Sequence, residues 1–80
     1  MTQQDTIDFV KEHFAVGERF LTVDVIHQMY EEGLPIEKAT RQKVARHIKN
    51  YSDIWGDFII AELVPTDPKG GHSYLWERVR

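Results

Sequence analysis

The sequence predicts a single α+β domain of three helices closed by a C-terminal β-hairpin, and three observations predict it. Apolar residues recur at helical spacing in three stretches before residue 52, β-branched and aromatic residues crowd two stretches after Asp57, and breaks bearing Gly or Pro separate most of them. The 80 residues, 41% of them hydrophobic, suffice for one modest core, so 1–80 reads as one domain without linker or internal repeat.

Each element has its own local reason. Ile7, Val10 and Phe14 recur at i, i+3, i+7, which predicts a first helix from about Thr6 to Phe14. Asp5 or Thr6 would cap it, and Asp8, Lys11 and Glu12 would face away from the core. Gly17 stops that helix, and Arg19-Phe20-Leu21 is too short for another, so it reads as a brief strand. Thr22 is a good N-cap and Asp24 suits the positive end of a helix dipole, so a second helix is expected from Val23 to about Glu32. It would bury Val25 or Ile26, Met29 and Tyr30, and end at Gly33.

Leu34-Pro35 breaks the rhythm, because proline pushes its predecessor out of the helical region while itself suiting a first helical position. A third helix therefore begins near Pro35 or at Thr40, with Thr40, Val44, Ile48 and Tyr51 along one side. Ser52-Asp53 and Gly56-Asp57 read as turn formers, and Phe58–Val64 as a strand rich in β-branched residues. Pro65–His72 is dense in turn residues, and Ser73–Val79 resumes a strand with aromatics at alternate positions. Such a hairpin is marginal alone, so it is expected to pack on the helices, with Arg19–Leu21 as a third strand at its edge. The order is then helix, strand, helix, helix, strand, strand.

Composition excludes several classes. The absence of Cys removes a disulfide framework, a thiolate nucleophile and a zinc-finger ligand set, and suits a reducing compartment; the expected location is the cytoplasm. No apolar run approaches a membrane span, and the first residues have neither the basic start nor the apolar stretch of a signal peptide. Formal net charge is −3, but it is unevenly spread. Lys38, Arg41, Lys43, Arg46 and Lys49 stand between residues 38 and 50 with no acid, so this segment carries +5 of charge. The rest of the chain sets five bases against thirteen acids, a balance of −8.

The order of elements, the basic third helix and the closing loop-tipped hairpin together resemble the winged helix-turn-helix domain of small transcription regulators. Thr40-Arg41-Gln42-Lys43-Val44-Ala45-Arg46-His47-Ile48 looks like a recognition helix, and Gly70-Gly71-His72-Ser73-Tyr74-Leu75-Trp76 looks like the return strand of a wing. The sequence departs from the pattern in its wing, which offers Lys69 and His72 against Asp67 where wings that follow the DNA backbone carry several cations. The resemblance implies sequence-specific binding of double-stranded DNA by a small transcription regulator, with the third helix (about 38–51) in the major groove. Regulators of this kind commonly act as dimers, so a homodimer is also expected.

The residues themselves point the same way. With Val44 turned to the core, Lys38, Gln42, Lys43, Arg46, Lys49 and Asn50 fall on the opposite arc. Arg46 and Gln42, one turn apart, suit base reading, since Arg donates to guanine and Gln pairs with adenine. Lys38, Arg41, Lys43 and Lys49 suit phosphates, and Asn50 and Lys69 complete the expected DNA-binding set. His47 is expected at the edge of the basic face, titrating near neutral pH and strengthening binding in acid. The competing reading is a solvated helix face, which would normally mix charge signs at i, i+4. The acids Asp8, Glu12, Glu31 and Glu32 serve solubility or turn DNA away from other surfaces.

Other chemistries have less support. His27 and Glu31 stand at i, i+4, but two ligands do not make a metal site, so no metal or other cofactor is expected. Ser52 and Ser73 lack a nucleophile-elbow context and no phosphate-binding Gly loop opens a helix, which argues against an enzyme or a small-molecule substrate. Trp55 and Trp76 read as core or lid residues fastening the hairpin to the first and third helices; the alternative is an exposed patch formed with Phe58 or Tyr74. A second function class stays open, a winged-helix interaction module that docks its basic helix on an acidic protein partner.

Overall fold

The computed structural model describes residues 2–35, 40–65, 68 and 70–80, and of Arg41 the backbone alone. The elements are α1 (Gln3–His13), β1 (Arg19–Leu21), α2 (Thr22–Glu31), α3 (Thr40–Trp55), β2 (Phe58–Pro65) and β3 (His72–Arg78). The fold is α+β, with three helices and one antiparallel sheet in the order β1-β3-β2. No helix among the described residues is long and apolar enough to cross a membrane.

Helix α1 starts three residues before the expected position. Thr2 is its cap: the Thr2 hydroxyl accepts from the Asp5 N–H at 3.1 Å and the Asp5 carboxylate accepts from the Thr2 N–H at 2.9 Å. This reciprocal pair frees Thr6 to be fully buried rather than to cap. In α2 the expected Thr22 is already helical, and Asp24 accepts from the Leu21 N–H at 2.8 Å. The helix ends where predicted, with Gly33 at φ 77° and the Leu34 N–H donating to the Met29 carbonyl at 3.1 Å.

Helix α3 runs on past the expected turn at Ser52-Asp53. The Ser52 hydroxyl donates to the Ile48 carbonyl at 2.7 Å inside the helix, and the stop falls to Gly56, whose φ is 69°. Two apolar expectations also fail. Tyr30 stands on the solvent side of α2 at 74% exposure, because Val25, Ile26 and Met29 already fill the inward stripe. Trp55 is 60% exposed, since the last turn of α3 overshoots the core that Trp76 occupies.

One core unites every element: Ile7 and Val10 from α1, Phe20 from β1, Val25, Ile26 and Met29 from α2, Val44 and Ile48 from α3, Phe58 from β2 and Trp76 from β3. The predicted third strand is present at the far edge. Phe20 lies opposite Trp76 in the β1–β3 register, and Ile60 lies opposite Trp76 on the other side, before a bulge at Ala61 shifts the pairing to Glu62–Leu75. Phe20 meets Phe58 edge to face at 6.0 Å and stacks on Phe14 at 4.6 Å. The Trp76 indole N–H is satisfied by the buried Thr22 hydroxyl at 3.2 Å.

Polar ties close the ends. Lys11, expected to face away, reaches Asp57 at 2.5 Å, and Tyr51 donates to the same carboxylate at 3.3 Å. The bond to Lys11 holds the Asp57 carboxyl below its usual range and the Lys11 ammonium above its own. Arg78 donates to the Phe14 carbonyl at 2.6 Å and the Lys11 carbonyl at 3.0 Å, capping α1 from the last strand.

Two histidines brace α1 with opposite pH dependence. His13 packs on the Phe9 ring at 4.2 Å and bonds the Phe9 carbonyl and Glu32, and these two partners raise its pKa above 6.5. His47 has its pKa lowered from 6.5, first by burial and further by the Lys43 and Arg46 cations. The contribution of His13 is therefore full below pH 6.5 and fades as pH rises through its raised value, whereas that of His47 is full above 6.5 and fades as pH falls. Thermal melts should show the stability difference between wild type and His13→Gln shrinking as pH rises above about 6.5. The difference between wild type and His47→Gln should shrink as pH falls below about 6.5.

Candidate nucleic-acid interface

Helix α3 is held by its inward ridge. Val44 and Ile48 are buried, Tyr51 is half-buried, and Thr40 opens the described part of the helix at intermediate exposure. Because α-helical residues four apart stack on one side, burying Val44 and Ile48 turns Gln42, Arg46, Lys49 and Asn50 outward, with Lys43 beside them. All five are exposed. The structure thus brings together five of the nine residues expected to bind DNA. Lys38 and Lys69 lie outside the described residues, as does the side chain of Arg41.

His47 does not join them. It is half-buried, and its Nδ1 meets the Thr6 hydroxyl of α1 at 2.8 Å. Its position one turn before Tyr51 and three after Val44 places it on the inward flank, so neutral-pH titration on the binding face is replaced by a helix-to-helix bond and a lowered pKa. Thr6, in turn, sits within 3.2 Å of the Thr2 carbonyl, which fixes the hydroxyl between cap and imidazole.

One residue of this face was not foreseen. Since α3 continues to Trp55, Asp53 lies one turn beyond Lys49, and the two groups stand 3.7 Å apart with side chains 66% and 49% exposed. The expected absence of i, i+4 pairing on the third helix is corrected by this pair. The clue was present in Tyr51, which prolongs the Val44 ridge past Asn50 and so commits the next residues to the helix. Among the described residues, Lys43 and Arg46 have no ion-pair partner.

The surrounding surface differs in character. Ile54, Trp55, Ile59, Ile60 and Leu63 are exposed along the end of α3 and the outer strand β2, with Ile54 at 70% and Leu63 at 52%. At the hairpin tip, His72 is exposed and opposes Pro65 in the register. His27 and Glu31 are both exposed on α2, and no group of three or more His, Asp or Glu placed to hold a metal occurs among the described residues. Compared with known protein families, curated proteins and solved structures, the chain matches none.

Proposed function

We propose that this chain is a winged-helix module that binds double-stranded DNA through the outward face of α3 and acts as a small transcription regulator. The observation that carries the reading is the exposed row Gln42, Lys43, Arg46, Lys49 and Asn50, set opposite a buried Val44–Ile48 ridge. An α-helix fits the major groove, Arg and Lys donate to guanine or phosphate, and Gln and Asn match adenine, so this row presents both base-reading and backbone-binding donors. The element order and the β1-β3-β2 sheet support the winged-helix layout, with β2 and β3 as the wing. The acids Asp8, Glu12, Glu31 and Glu32 are exposed and stand outside α3, whose outward row is basic, a charge division that favours approach of a polyanion to α3.

A second reading has its own observation. Ile54 and Trp55 at the end of α3 and Ile59, Ile60 and Leu63 on β2 are exposed apolar side chains on the basic helix and the strand that follows it, a composition that suits protein docking. The two differ in salt dependence. Fluorescence anisotropy of duplex DNA across a salt series tests the proposal: DNA docking by α3 gives a log–log slope of about −3 to −5, as three to five phosphates are each neutralised at about 0.9. Absence of binding even at low salt would overturn it.

A further inference from the structure

The inference rests on the DNA reading of α3 and concerns its one acid. Asp53 continues the row of Gln42, Arg46 and Lys49 at steps of three or four residues, so these side chains rise one above another on the same face. The fold gains little from a carboxylate there. It lies in the last turn of α3, where the negative end of the helix dipole opposes it. Its partner Lys49 is exposed and 3.7 Å away, a geometry that contributes little to stability.

Its place along the helix suggests another use. At about 1.5 Å per residue, Asp53 stands roughly 16 Å from Gln42. A major groove about 12 Å wide that takes in Gln42 through Asn50 leaves Asp53 where the helix meets the flanking phosphates. We propose that Asp53 is a specificity-determining residue. It occupies Lys49 and repels phosphates at the C-terminal end of α3, so random duplex is held weakly and only a site matching Gln42 and Arg46 is held well.

Anisotropy with a random-sequence duplex, alongside thermal melts, tests this with wild type, Asp53→Asn and Lys49→Gln/Asp53→Asn. Asp53→Asn should steepen the salt slope by about one, so that its affinity gain over wild type is about fourfold larger at 50 mM than at 200 mM salt. Its melting temperature should equal or exceed that of wild type, and the double variant should return to the wild-type slope. If wild type binds and Asp53→Asn shows the same affinity and slope, or binds more weakly, the role is overturned while the DNA reading stands. A lower melting temperature in Asp53→Asn would assign the carboxylate to the fold and overturn the role as well. If neither wild type nor Asp53→Asn binds, both readings fall.

Discussion

Reversing two charges, Lys43→Glu/Arg46→Glu, should abolish DNA binding while leaving the fold intact. Both side chains are exposed, and neither has an ion-pair partner among the described residues, so no ion pair among those residues is broken. Surface changes of this kind stay within about 0.5 kcal/mol of stability. The effect on a polyanion is far larger. Two cations are removed and two anions added on the face proposed to meet phosphates, which should lower duplex affinity on the order of a hundredfold or more near 100 mM salt. A variant that melts like wild type and still binds DNA with an unchanged salt slope would show that another surface makes the contact.

The largest stability effect is expected at Trp76. Its side chain is 1% exposed at the centre of the sheet, flanked in register by Phe20 and Ile60, with Tyr74 edge-on at 5.5 Å. Trp76→Ala removes that volume and leaves the Thr22 hydroxyl, itself buried, without its donor. Such truncations cost about 3–5 kcal/mol. A domain of this size holds roughly 4–12 kcal/mol in all. Trp76→Ala should therefore melt on the order of 10–40 °C below wild type by circular dichroism, whereas Trp76→Phe, which keeps a ring but loses the N–H, should cost about 1–2 kcal/mol. In Trp76→Phe the remaining indole is Trp55, 60% exposed, so its emission should be that of a solvated indole and readily quenched. A Trp76→Ala protein that melts with wild type would contradict the assignment of the core to this residue.

The element order was legible because each signal was local. Phe58–Val64 is β-branched and apolar over its whole length, and Gly33 stands where only a left-handed residue ends α2. The outward arc of α3 was legible for the same reason, since Val44 and Ile48 alone fix which side faces the core. What escaped depends on partners distant in sequence or on competition between residues of one type. Ser52-Asp53 has the composition of a turn, but the half-buried Tyr51 carries the inward ridge through it, and the Ser52 hydroxyl turns back to the Ile48 carbonyl inside the helix. Tyr30 and Trp55 carry the same apolar character as Met29 and Trp76, and packing space decided which were buried. The contacts of Lys11 with Asp57 and of His47 with Thr6 join residues 46 and 41 positions apart, which no local pattern encodes.

The measurement that tests the central claim most directly is amide shift mapping of nitrogen-15-labelled protein titrated with duplex DNA. Docking by α3 predicts that the largest changes fall on Gln42 through Asn50, with the buried Trp76 indole unmoved. Changes confined to β2, Ile54 and Trp55 would assign recognition to the apolar surface and contradict the claim, and so would a spectrum that DNA leaves unchanged.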